Sequence, residues 1–111
     1  MSDRIRKINN LIQQEISRLF TRELSLKPGV FLTVSRVRTT RDLRKADIFV
    51  SIFPATEVHY AMKTLEHEHH HLQKALHKKM QTKILPKISF TYDDTEERAD
   101  VVEKIFHDLD L

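Results

Sequence analysis

Apolar residues at Ile5, Ile8, Leu11, Ile12, Ile16, Leu19 and Phe20 recur every three or four positions, so residues 3–24 are predicted to form a helix with one buried stripe, Asp3 serving as its N-cap. Lys27-Pro28-Gly29, which holds the only glycine of the chain, ends that signal. The period then changes. Ala46, Ile48, Val50 and Ile52 alternate with Asp47, Phe49, Ser51 and Phe53, the pattern of a half-buried strand. The run before it is β-branched but less regular: Val34 and Val37 are three apart, so either a bulge shifts the register or one of the two faces outward.

Pro54 breaks the second strand, and Thr56 is placed to cap a helical stretch that runs to about residue 83. Its apolar positions fall in two groups, Val58, Met62 and Leu65, then Leu72, Ala75, Leu76 and Met80. Residues 66–71 between them offer nothing apolar, which reads as a helix, a bend and a second helix. After Pro86, Ile88, Phe90 and Tyr92 alternate with Lys87, Ser89 and Thr91 as a third strand. Asp94 and Glu97 then open a last helix through Val101, Val102, Ile105, Phe106 and Leu109. The order is α-β-β-α-α-β-α with no repeat or low-complexity linker. It predicts a single α+β domain over residues 1–111, a three-stranded sheet with helices packed on one face.

The formal charge of +3, from 19 Lys and Arg against 16 Asp and Glu, is mild, so the placement of the cations matters more than their number. They gather in residues 4–7, 36–45 and 74–87, while carboxylates gather in residues 93–97 and 103–110. A molecule with one positive face favours nucleic acid over a membrane. The chain has no cysteine, which excludes disulfides, thiolate metal sites and cysteine nucleophiles. The charged N-terminus lacks the apolar core of a signal peptide, and no window reaches the roughly 18 apolar residues of a membrane span, so a cytoplasmic protein is expected.

Arg36, Arg38, Arg41, Arg44 and Lys45 put five cations within ten residues between the first two strands, with Asp42 among them to bond nearby backbone and set the turn. Lys74, Lys78 and Lys79, followed by Lys83 and Lys87, offer a second row. Lys74 and Lys78 share a helix face, where like charges repel unless an anion lies over them. These ten residues are the candidate RNA-binding set, meeting phosphate oxygens rather than reading bases. No GxxG loop of the kind that grips single strands is present.

His67 and His71 have the i, i+4 spacing of a metal pair, but a specific site normally needs a third or fourth ligand with supporting groups behind it, and adjacent histidines diverge on a helix. The segment is read as an exposed polar bend with no metal site. Phe31, Phe49, Phe53, Phe90 and Phe106 are assigned to core or sheet-face packing rather than to base stacking. No nucleophile constellation, paired-acid motif or phosphate loop stands out, so no enzyme activity and no cofactor are expected.

Val34-Ser35-Arg36-Val37, Arg41-Asp42-Leu43 with Ala46, the strand at residues 48–53, and Ile84-Leu85-Pro86-Lys87-Ile88-Ser89-Phe90 followed by Tyr92-Asp93 resemble, in this order and separation, the ribosome-binding factor A family. The resemblance covers nearly the whole chain. It implies a type-II KH-like fold and a non-catalytic, cytoplasmic bacterial assembly factor, monomeric when free. Such a factor binds the small (30S) ribosomal subunit and its 16S ribosomal RNA during late maturation and rRNA processing. The family's helix usually bends at a small residue followed two positions on by glycine; this chain has Glu68-His69-His70 there. Gln81-Thr82-Lys83 replaces a common arginine-rich turn. The alternative is a protein-interaction module whose hairpin cations meet an acidic partner without direct RNA contact.

Overall fold

The computed structural model describes residues 3–95. Helix α1 spans Asp3–Glu23, strand β1 Phe31–Thr39, strand β2 Lys45–Phe53, helix α2 Val58–Lys79 and strand β3 Lys87–Tyr92, with a 3-10 turn at Ala55–Glu57 before α2. The strands make one sheet in the order β1-β2-β3, with β1 antiparallel and β3 parallel to β2. Ile8, Ile12 and Ile16 of α1 and Ala61, Leu65, Leu72 and Leu76 of α2 pack on Val37, Ala46, Ile48, Val50, Ile52 and Ile88 of the sheet. The expected α+β architecture with helices on one sheet face is present. The last helix expected beyond Asp94, with Phe106, lies outside the described residues.

The irregular first strand resolves as a bulge. The pairing steps from Val34↔Val50 to Arg36↔Phe49, which leaves Ser35 as the extra residue and keeps both Val34 and Val37 on the core side. The Ser35 hydroxyl, no longer opposite a partner, donates to Asp93 Oδ2 at 2.7 Å. At the other end of β1, the buried Thr39 hydroxyl donates to Asn9 Oδ1 at 2.6 Å and ties the strand to α1.

Two expectations fail at helix starts. Asp3 lies inside the first turn of α1, where it pairs with Arg6 at 2.9 Å. Thr56 sits within the 3-10 turn and caps nothing: the Glu57 amide bonds the Pro54 carbonyl at 2.9 Å, and this backbone turn delays the α-helix to Val58. The first helix also stops at Glu23, before Pro28. The Lys27–Val30 stretch is a separate turn, closed by Val30 N–H on the Lys27 carbonyl at 3.2 Å, with Gly29 at φ 85 as a type II turn requires.

The expected bend is absent, because α2 is one 22-residue helix. Leu65 and Leu72 are seven residues apart, two full turns, so the second apolar group resumes in phase with the first. The rung left empty between them is filled by His69, which is half-buried and not part of an exposed bend. Its Nε2–H donates to the Ile88 carbonyl at 2.5 Å, and its ring stands edge-on to Phe90, 6.2 Å between centroids. Four residues on, Gln73 Oε1 accepts from the Ile88 amide at 3.0 Å; four further, His77 Nε2 donates to the Pro86 carbonyl at 2.8 Å. One helix stripe thus bonds the outer edge of β3. Removing the imidazole leaves a backbone carbonyl short of its donor, so His69→Ala is expected to cost about 1–3 kcal/mol in a urea unfolding titration. His70→Ala, on the exposed side, should stay within about 0.5 kcal/mol. Equal losses would remove His69 from this role.

Candidate nucleic-acid interface

The basic hairpin end is built by its own hydrogen bonds. Thr40 and Lys45 close it through Thr40 N–H on the Lys45 carbonyl at 2.9 Å, and Leu43 N–H bonds the Thr40 carbonyl at 2.9 Å. Asp42 Oδ1 accepts from the Thr40 hydroxyl at 2.7 Å and from the Arg44 amide at 3.1 Å, as expected of a turn-setting aspartate. The Thr40 hydroxyl, followed by the Arg44 amide and the Arg44 charge, holds the Asp42 carboxyl below its ordinary value of 3.8. Leu43 takes φ 62, a left-handed conformation that L residues other than Asn and Asp rarely adopt, yet its side chain is 4% exposed. Burial of the leucine drives the backbone into that state, and the turn's cations are carried on a loop pinned to the core.

Arg41, Arg44 and Lys45 line one shallow depression with Thr40 and Asp42. Arg38 and Arg41 line a second, together with Arg4 from the first turn of α1. Lys87 joins this end because it is the register partner of Lys45 and its amide bonds the Arg44 carbonyl at 2.8 Å. Arg36 lies on the sheet, its guanidinium carbon 4.0 Å from the Phe49 ring centroid. Arg44 Nε stands 3.9 Å from Asp42 Oδ2, and the ion pairs found among the described residues include none of the other nine candidate cations.

Lys74, Lys78 and Lys79 fall in a different place, a cleft between α1 and α2 that also holds Arg22, His71 and Glu23. Glu23 Oε2 is 3.1 Å from His71 Nε2, and its carboxylate offsets part of the positive field there. Lys83 lies exposed in the connection before β3 and lines neither group. The candidate set therefore divides between the hairpin end and the helix cleft. Arg4 and Arg22 complete the two depressions, and only the packing of α1 across the sheet brings them there. Among the described residues no group of three or more His, Asp or Glu is placed to share a metal ion.

Asp93 marks the far end of the same sheet. Its carboxyl is held down to about 2 by the Thr95 hydroxyl first, then by the Ser35 hydroxyl and the Thr95 amide, with Arg36 adding attraction. No helix among the described residues is long and apolar enough to cross a membrane.

A mixed three-stranded sheet, the described helices packed on one of its faces and a cation-bearing hairpin define a small KH-like α+β domain. A family model described as ribosome-binding factor A matches residues 4–106, and the chain belongs to that family. The ribosome-binding factor A of Chloroherpeton thalassium is 35% identical over 102 residues, covering 89% of this chain and 81% of the relative. That of Nitrosococcus oceani is 33% identical over 97 residues, covering 86% and 76%. The crystal structure of ribosome-binding factor A from Thermus thermophilus shares the fold with a TM-score of 0.69 at 20% identity, over 79% of this chain and 94% of that one. A homology model of the Thermus thermophilus factor, fitted into a cryo-EM map of a complex with the 30S subunit, aligns with a TM-score of 0.65 at 22% identity, over 77% and 90%.

Two outcomes test this geometry. Because a glycine relieves the left-handed backbone by about 1 kcal/mol where an alanine does not, Leu43→Gly should unfold at higher urea than Leu43→Ala, although both lose the buried side chain. The reverse order would place the strain elsewhere. For Asp93, whose folded carboxyl is depressed, the stabilisation is fully present above the unfolded value of 3.8 and is lost as pH falls through about 2. An acid unfolding series should lose part of its slope in that window with Asp93→Asn, and an unchanged slope would show that the Ser35 and Thr95 hydroxyls do not select the ionised form.

Proposed function

We propose that this chain binds the small ribosomal subunit through its 16S ribosomal RNA, in the cytoplasm, during late maturation and rRNA processing. It acts by occupancy rather than by catalysis, holding an RNA conformation until release. The observation that carries this reading is the meeting of Arg38, Arg41, Arg44, Lys45 and Lys87 at one end of the sheet, on a turn fixed to the core by Leu43. Family membership and the fit of a Thermus thermophilus relative into a 30S complex support the choice of partner. Cations on a rigid loop meet phosphates from a fixed backbone, so the loop itself need not be ordered on binding. The lysines of the helix cleft supply a second, weaker contact, since Glu23 shares their space.

Binding to phosphates releases counterions, so affinity for isolated small subunits should fall linearly on a logarithmic salt axis. Charge reversal in Arg41→Glu with Lys45→Glu is expected to weaken cosedimentation and to reduce the salt slope by about one for each phosphate that is no longer neutralised. Retention of full affinity and an unchanged slope in the double variant would overturn the hairpin assignment.

A further inference from the structure

We propose that the face of the sheet opposite the described helices, where Phe31 and Phe53 are exposed, is a stacking platform for bases of single-stranded RNA, an inference that rests on the ribosomal-RNA reading above and gives that RNA a second, aromatic contact. Helices α1 and α2 lie on one side of the sheet. Strand alternation sends Phe49 and Phe53 of β2, with Phe31 of β1, to the other side. There Phe31 is 63% and Phe53 67% exposed, against the expectation that these rings serve packing. The two are register partners whose rings lie 6.5 Å apart between centroids and 38° from parallel, so each keeps an outer face toward solvent. Phe49 lies four residues from Phe53, about 13 Å along the strand, far enough for one RNA strand to set non-adjacent bases on the two positions. Thr33 and Ser51, paired in register between these rings, place hydroxyls where sugars and phosphates would pass.

Charge selects the occupant. Arg36 lies over Phe49, and Arg38 follows it on the same strand face. Among the described residues of this face, Asp47 Oδ1 accepts from Thr91 at 2.8 Å and from Ser89 at 3.2 Å, and Asp93 accepts from Ser35. Rings bordered by guanidinium and hydroxyl groups match a strand whose bases are apolar on their faces and whose backbone is anionic. An apolar protein surface would leave the arginines without partners.

The chain has no tryptophan, so Phe53→Trp creates a lone reporter on the platform. Its fluorescence should be quenched by an unstructured oligouridylate and not by a fully paired RNA duplex of the same length, whose bases are inaccessible to stacking. Phe31→Ala with Phe53→Ala, both at exposed sites, should keep the unfolding midpoint yet lower oligouridylate affinity about tenfold, leaving duplex affinity unchanged. Parental affinity in that double variant, or a loss confined to a ribosomal protein, would overturn the platform. If the phenylalanine variant matches the parent while Arg41→Glu with Lys45→Glu loses both RNAs, the platform fails and the ribosomal-RNA reading stands. If the charge reversal also changes nothing, that reading fails as well.

Discussion

Strand β3 lies at the edge of the sheet, and the amide and carbonyl groups it turns outward need partners other than another strand. Helix α2 supplies them from His69, Gln73 and His77, spaced four apart on one helix face. These three bonds fix both the rotation of the helix and its height along the strand. Burial of Leu65, Leu72 and Leu76 alone would tolerate some rotation, because apolar contact has little direction, whereas a carbonyl met at hydrogen-bond distance does not. The end of α2 and the start of β3 follow from that docking. It seats Leu76 and Met80 in the core, lets the connection reach Pro86, and starts β3 with Lys87 beside Lys45.

The hairpin applies the same logic at smaller scale. A bulge at Ser35 keeps Val34 and Val37 both inward, and the displaced serine binds Asp93. A strand without the bulge would turn one valine to solvent or move Arg36 and Arg38 off the open face, since a one-residue slip inverts every side chain beyond it. At the turn, the buried Leu43 sets the strained backbone and so aims Arg41, Arg44 and Lys45 outward. The cations are positioned by apolar burial beneath them and by the Thr40 and Asp42 bonds that close the turn.

Periodicity suffices for α1, for β2 and for the one-sided sheet, because each of these rests on local burial repeated over several turns or pleats. It anticipates the bulge as one of two outcomes, and the spacing of the valines is the signal. The long helix escapes it, since a polar stretch of six residues looks like an interruption when only carbon-rich side chains count as core. His69 occupies that gap as a half-buried group whose partner, the Ile88 carbonyl, is 19 positions away and invisible to a local pattern. Helix starts are obscured for a related reason: Thr56 has the right chemistry for a cap, but a backbone 3-10 turn already satisfies the chain there. The candidate cations are all recoverable from composition, whereas their division into two groups, and the entry of Arg4 and Arg22, depend on how α1 crosses the sheet. The exposure of Phe31 and Phe53 is concealed by the ordinary fate of phenylalanine.

A chain with a single glycine has little means of bringing backbone amides close to a phosphate, because a glycine-rich loop works by removing the Cβ atoms that keep two backbones apart. Gly29 is committed to a turn between α1 and β1. Under the proposed function a polyanion is met by long side chains, and long flexible side chains lose entropy when ordered. The structure limits that cost at Arg36, whose guanidinium lies over Phe49, and fixes the backbone beneath the hairpin cations through a turn closed by Thr40 and Asp42. The closed side of the sheet supplies the rigidity, and the open side carries the groups that use it.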